Sequence, residues 1–380
     1  MTRRLLLIGG GHSHVEVIRR WSLNPERGVD VVLISPDRHT PYSGMLPGFI
    51  AGHYQFEDCH IDLDALCHRA GVIRIENALA AIDLTRHAVR CEDGSEHPYD
   101  VVSIDTGSTP TLASIPGAGH IGIPVKPVAR FLGHWATLRE AARAAKRDIS
   151  VTVVGAGAAG VEVALAMQYR IHADGGRARF TLVSDGPAIL ASHPAGVQRR
   201  FAAILRARGI TVRLRAPVQS AEEGGLLLPG GERLPADRII WVTGAAAPAW
   251  PRDCGLQTDA AGFIAVDANL QSLSHPGLFA AGDVATMTGT PHPKSGVYAV
   301  RQGPPLAENL RRAARGAPLL RYHPQRIALA WISTGDRCAV ASYGPLSVWG
   351  NWVWRWKDRI DTAFMRRYRV AAQDAAREQQ

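Results

Sequence analysis

The chain has 380 residues, 46% of them hydrophobic and 20% charged, with a net charge of +9; this excludes a disordered tail, a collagen-like repeat and a disulfide mini-protein, and the length favours two or three domains. No stretch approaches the ~18 apolar residues of a membrane-spanning helix. The five cysteines are scattered, odd in number and without a Cys-x-x-Cys pair, which fits a reducing cytosol and supports neither a disulfide framework nor a metal site.

The first predicted element is a buried strand, Leu5 to Ile8. It follows Arg3-Arg4, but the apolar run is too short for a secretory signal. A helix from Val15 to Trp21 and a strand from Val29 to Ile34 come next, and the same order returns at Val151 to Val154, Val161 to Tyr169 and Phe180 to Val183. Short apolar strands separated by amphipathic helices predict a parallel sheet made of βαβ units, here twice over. Between the copies, residues 109–127 carry Pro110, Pro116, Gly117, Gly119, Gly122, Pro124 and Pro127, a composition that breaks regular structure and reads as an interdomain crossing. A helical segment from about Val128 to Lys146 leads into the second copy.

Each copy has a glycine-rich turn between its strand and its helix. Gly155-Ala156-Gly157-Ala158-Ala159-Gly160 has the spacing G-x-G-x-x-G. In this context the first glycine permits the tight turn, the second lets the backbone approach a pyrophosphate, and the third lets helix pack on strand. The helix N-terminus then offers N–H groups and a positive dipole to the phosphates. The first copy, Gly9-Gly10-Gly11-His12-Ser13-His14, keeps Gly9 and Gly11 but has His14 where the third glycine belongs, so close packing there must accommodate an imidazole. His12 and His14 read as packing or phosphate-proximal side chains. Both following strands end in serine, Ser35 and Ser184, where an acidic residue normally holds the ribose. No arginine immediately follows Ser184 to receive a 2′-phosphate, which favours NADH over NADPH.

Five motifs occur in the order found in the two-dinucleotide-binding flavoproteins, the pyridine nucleotide–disulfide oxidoreductase superfamily, which the chain resembles over residues 5 to about 310. After the first fingerprint comes Ile104-Asp105-Thr106-Gly107-Ser108, similar to that superfamily's Ala-Thr-Gly-Ser segment with Asp105 replacing alanine. The second fingerprint follows, then Trp241-Val242-Thr243-Gly244, and finally Ala280-Ala281-Gly282-Asp283-Val284, which looks like the second flavin motif. The resemblance implies an α/β fold of two Rossmann-like dinucleotide-binding domains, with an NAD(P) domain (116–244) inserted in an FAD domain (1–115 and 245–330), plus a small C-terminal segment (331–380). It implies FAD and NADH or NADPH as cofactors. Their contacts would be Gly9, Gly11, His12, Ser13, Ser35, Ser43, Thr106, Gly107, Gly282 and Asp283 on the flavin side, and Gly155, Gly157, Gly160, Ser184, Thr243 and Gly244 on the nicotinamide side.

No cysteine pair follows the first βαβ unit, where disulfide reductases carry theirs; Thr40-Pro41-Tyr42-Ser43-Gly44-Met45-Leu46-Pro47-Gly48 stands there instead. The chain is most similar to type II NADH dehydrogenases and to the flavoprotein module fused to selenide, water dikinase, through Gly9 to His14, Tyr42 to Tyr54 and Gly296 to Gly303. The resemblance gives Glu162 a place at the nicotinamide–flavin contact. The two glutamines that flank the quinone pocket in those dehydrogenases correspond to Val297 and Arg301, with Gln302 retained next door, so Glu162 and Gln302 are the candidate catalytic residues. Lys294 and Arg301 would present positive charge near the flavin.

The last segment reads as an amphipathic helix. Trp349, Trp352, Val353, Trp356, Ile360, Ala363 and Phe364 form a stripe at helical spacing, and residues 355–369 hold six basic and two acidic residues. Such a helix suits an anionic membrane surface; packing on the protein's own body or on a second copy in a homodimer is the ordinary alternative. Basic residues elsewhere are dispersed and form no nucleic-acid module. The expectation is a cytoplasmic FAD-dependent NAD(P)H oxidoreductase, peripheral on the inner membrane face, with a quinone-like or other small acceptor. The alternatives are a soluble reductase of selenium or sulfur metabolism and a flavin-bound redox-sensing or interaction protein.

Overall fold

The computed structural model describes residues 2–369. The first βαβ unit comprises β1 (Arg3–Ile8), α1 (His12–Leu23) and β2 (Val29–Ile34), followed by β3 (Ile73–Ile75) and β4 (Val101–Ile104). A second set comprises β5 (Ile123–Pro124), β6 (Ile149–Val154), α2 (Ala158–Ala173), β7 (Ala178–Val183), β8 (Thr211–Arg213) and β9 (Arg238–Trp241). The chain then returns to the first sheet with β10 (Leu278–Ala280) and α3 (Gly296–Arg315), and ends with β11 (Ala330–Ser333), β12 (Ala339–Tyr343), β13 (Leu346–Gly350) and α4 (Asn351–Arg366).

Two five-stranded parallel sheets result, in the orders β10-β4-β1-β2-β3 and β5-β9-β6-β7-β8. Central strands of such sheets are covered on both faces and are therefore mostly apolar; Leu5 to Ile8 and Val151 to Val154, the latter with Thr152 as its one polar residue, are buried. The first sheet is completed by a strand from the other side of the second one, so the chain crosses between them twice. The crossings lie side by side, with Thr109–Pro110 pairing antiparallel to Ala245–Ala246. The predicted helix after the first crossing is present as Val128–Ala144.

The C-terminal helix departs from the expected single stripe. Trp349 ends a strand rather than starting a helix, and α4 buries Val353, Lys357, Asp361, Phe364 and Met365 while Trp352, Trp356 and Ile360 are exposed. The reason is a polar contact that apolar periodicity does not register: Lys357 Nζ is 2.5 Å from Asp361 Oδ2 and donates to the Gly44 carbonyl. Tyr42 stacks on Phe364 with centroids 4.5 Å apart, and Tyr368 Oη donates to Glu16 at 2.9 Å. The helix is thereby tied to the first βαβ unit.

Close packing at the second turn sets the first prediction. A Cβ on Gly160 would lie 1.8 Å from the Gly155 carbonyl oxygen, a contact with backbone that cannot rotate away. Gly160→Ala is expected to destabilise the fold by about 1–3 kcal/mol, measured by denaturant unfolding; an unchanged midpoint would contradict this packing.

Candidate functional site

Both glycine turns are built in the same way. Gly9 N–H donates to the Ile34 carbonyl and Gly155 N–H to the Val183 carbonyl, each at 2.8 Å, with φ of +89° and +115°. The first glycine of each turn thus stands where a side chain is sterically excluded. A Cβ would meet Asp105 O at 2.6 Å in one case and Val242 O at 2.2 Å in the other. Gly11 and Gly157 are the N-caps of α1 and α2, and neither helix has a side-chain cap. The α2 end offers backbone N–H groups to an anion, whereas at the α1 end the Ser13 and His14 N–H groups already bond the Asp105 carboxylate.

The structure places the histidine that replaces the third glycine. The imidazole of His14 is buried beneath the turn, its Nδ1 2.7 Å from the Gly9 carbonyl and its Nε2 2.8 Å from Ser103 Oγ, and burial pulls its pKa down to about 4. It is a neutral bolt between turn and sheet. His12 is enclosed as well and lowered to about 4 by burial, but its Nε2 is buried with no hydrogen-bond partner. Across from it, Gly282 N–H donates to Gln302 Oε1 at 2.7 Å, and Asp283 receives Lys126 Nζ at 3.0 Å. An unpartnered imidazole nitrogen, a carboxylate at a turn and two Cβ-free backbone approaches fit a flavin dinucleotide lying along β1 and β10.

The remaining predicted contacts fall around this cleft unevenly. Ser13 gives its N–H to Asp105 and its hydroxyl to the Ala299 carbonyl, so both its polar groups are engaged by protein. Ser35 is buried at the end of β2, beside Arg74, which donates to its carbonyl. Ser43 and Thr106 are exposed, and Gly107 has φ +75° with open space where a Cβ would stand. Gln302 is buried, its Nε2 3.2 Å from His292 Nε2; it positions the Gly282 turn from α3. Lys294 donates to Ala285 O and Thr286 Oγ1 and lies over Phe263, whereas Arg301 is exposed. On the second sheet, Ser184 Oγ accepts from Gly186 N–H, and Thr243 Oγ1 is buried without a partner beside the Gly155 turn.

Glu162 on α2 points away from its own turn. Its carboxylate accepts from Ser333 N–H at 2.7 Å and Ser333 Oγ at 3.0 Å, at the end of β11. Burial holds its pKa up at about 7, opposed by the nearby Lys357 ammonium and by the Ser333 bonds. Three sequence-distant segments therefore converge here: α2 with Glu162, β11 with Ser333, and α4 with Lys357 reaching Gly44. A crevice lined by Gly48, His53, Tyr54, Ser333, Trp354 and Lys357 opens beside them. Sequence reasoning missed Lys126, Ser333, Lys357 and Asp361. Lys357 and Asp361 carried a signal, since an i, i+4 pair of opposite charge shares a face with Val353 and Phe364. Cys59 and Cys67 are poor nucleophiles, since burial pushes both thiols up to about 12.

Known proteins with this arrangement are numerous. The chain is 25% identical to the NADH dehydrogenase-like protein YutJ of Bacillus subtilis, covering 85% of this chain and 87% of that one. It is also 25% identical to the demethylphylloquinone reductase NdbB of Synechocystis, covering 84% and 82%. A match of 28% identity to a Mycobacterium tuberculosis NADH dehydrogenase-like protein covers 60% of this chain and spans 58% of that protein. The sulfide:quinone oxidoreductase of Aquifex aeolicus shares the fold, with a TM-score of 0.81 and 18% identity over 97% of this chain and 92% of that one. The family model for pyridine nucleotide-disulphide oxidoreductases matches residues 3–303, and with both of its glycine turns formed the chain belongs to that family.

Proposed function

We propose that the chain binds FAD along β1 and β10 and NADH along β6, and passes reducing equivalents from the nucleotide to a quinone-like acceptor entering beside Glu162. FAD, when bound, takes a hydride from the nicotinamide and passes two electrons on. Asp283 and the Gly9–Gly11 turn hold that cofactor, and Gly155, Gly157 and the α2 N-terminus hold the nucleotide. NADH is the proposed nucleotide because the turn after Ser184 carries Asp185 and no arginine. The quinone reading draws support from the names of relatives such as the demethylphylloquinone reductase of Synechocystis.

The convergence of Glu162, Ser333 and Lys357 carries this reading. A quinone that gains two electrons needs protons, and a carboxyl held near pH 7 is matched to deliver one. Ser333 fixes the carboxyl's direction, and Lys357 stabilises the carboxylate left behind. Trp354, His53 and Tyr54 pack against one another around this crevice, which is too narrow for a ring as it stands, so the acceptor has to part these side chains to enter.

The acceptor is proposed to arrive from a membrane surface. Leu346, Val348, Trp349, Trp352, Trp356 and Ile360 are between 41% and 70% exposed, on β13 and the outer side of α4. Exposed Arg355, Arg359, Arg366 and Arg367 accompany them. Aromatic side chains flanked by arginines suit an anionic lipid interface, and among the described residues no helix is long and apolar enough to cross a bilayer.

Two outcomes are expected. Glu162→Gln is expected to slow reoxidation of the NADH-reduced protein by a soluble quinone about 10²-fold. In the unsubstituted protein the rate falls as pH rises through about 7, because the acid form is lost; in the variant, stopped-flow traces lose that dependence. A variant that kept both rate and pH profile would remove Glu162 from the reaction. The double variant Trp352→Ser, Ile360→Ser is expected to reduce cosedimentation with phosphatidylglycerol vesicles at least about tenfold, since each apolar side chain withdrawn from water contributes roughly 1.5–3 kcal/mol; equal partition would end the membrane reading.

A further inference from the structure

One buried carboxylate lies inside the first dinucleotide turn and has no part in the reaction described above. Asp105, directly after β4, is 3% exposed, and its Oδ2 accepts from Ser13 N–H at 2.8 Å and from His14 N–H at 3.1 Å. Both donors belong to the first turn of α1, the helix end whose positive dipole is suited to a phosphate. The carboxylate is also wedged between the two glycines of the flavin cleft. A Cβ on Gly11 would fall 2.3–2.4 Å from its Cγ and oxygens, and one on Gly282 would fall 2.3 Å from Oδ1. The turn that is to receive an anionic diphosphate thus already holds an anionic side chain.

The charges facing Asp105 do not neutralise it. Asp283, after β10, is a second carboxylate and repels it. Lys126, from the crossing, is held on Asp283 Oδ2 at 3.0 Å and donates to Ser108. The two imidazoles on α1, His12 and His14, are neutral, since burial lowers both to about 4. From α3 only uncharged groups reach the turn, the amide of Gln302 through Gly282 and the Ala299 carbonyl through the Ser13 hydroxyl. Burial accordingly raises the Asp105 carboxyl to about 7 against the two N–H bonds that favour its charged form.

We propose that Asp105 is a positioning residue of the flavin site that takes up a proton when the diphosphate of FAD binds, so that the affinity for FAD falls as pH rises. The proposal rests on the flavin reading of this turn. Two anions enclosed in one poorly solvated space cannot both stay ionised. A dinucleotide diphosphate keeps its charge throughout the neutral range, so the proton comes from solvent and goes to the carboxyl. Below the carboxyl's own titration range Asp105 is already neutral, no proton is taken up, and affinity is independent of pH. Above it, each pH unit weakens binding about tenfold.

The test uses the full chain stripped of flavin, with FAD binding followed by fluorescence between about pH 6 and pH 8.5. The unsubstituted protein should show a Kd that is level at the acid end and climbs about tenfold per unit at the alkaline end. Asp105→Asn, which keeps an acceptor for the α1 N–H groups and carries no charge, should bind with a level Kd and more tightly than the unsubstituted protein at the alkaline end. Calorimetry near pH 8 in two buffers of different ionisation heat should report uptake of about one proton per FAD, a measurement on the unsubstituted protein that stands even if the variant does not fold. Tight FAD binding with a level Kd and no proton uptake overturns the proposal alone. The same slope in the variant also overturns it. Absence of FAD binding at every pH overturns the flavin reading and this proposal with it.

Discussion

A helix can present its N-terminal N–H groups to a diphosphate only if the turn before it brings backbone, and no side chain of its own, up to the phosphate oxygens. That single steric requirement is met twice in this chain and organises the rest. Gly9 and Gly155 adopt positive φ and bond to the neighbouring strand at the same length, which fixes where α1 and α2 begin. Each turn leads from a strand of its own parallel sheet, and the two crossings between the sheets pair with each other at Thr109–Pro110 and Ala245–Ala246. His14 shows that the third glycine is dispensable when its replacement is buried and fully hydrogen-bonded.

The second organising contact is the buried pair Lys357 and Asp361. Removing two charges from water is costly, and a pair of this kind adds little to stability compared with apolar packing. Its value lies in placement. With Lys357 on the Gly44 carbonyl and Tyr42 Oη on Asp361 at 3.2 Å, the C-terminal helix lays an ammonium beside the Glu162 carboxyl. It also turns Trp352 and Trp356 outward. Arg200, from the helix Ala195–Ala207, stacks on the Trp349 ring at 3.2 Å, so the exposed aromatic surface is in contact with the second sheet's helical layer as well as with the first.

Much of this architecture was legible in the sequence because it follows from local rules. Strand, glycine turn and helix are contiguous, so Gly9 to Ser13 and Gly155 to Gly160 could be located from spacing alone, and the return strand Leu278–Ala280 was marked by Gly282-Asp283. What escaped was long-range and polar. Asp105 was visible as a departure from alanine, but that it would reach the α1 N–H groups depends on the adjacency of β1 and β4. Ser333 meets Glu162 across 171 residues. The apolar stripe splits in the structure, because α4 buries Val353 and Phe364 together with a charged pair whose partners lie on the Tyr42–Gly44 segment, and leaves Trp352, Trp356 and Ile360 exposed.

The proposed reaction requires the two turns to hold a flavin and a nicotinamide nucleotide in electronic contact. Anaerobic addition of NADH to the purified protein, with the visible absorbance of oxidised flavin followed in a stopped-flow instrument, addresses it directly. The expected result is a visible flavin spectrum that NADH bleaches rapidly and that a soluble quinone restores. A protein that carries no flavin and takes none up, or a bound flavin that neither NADH nor NADPH bleaches, would contradict it.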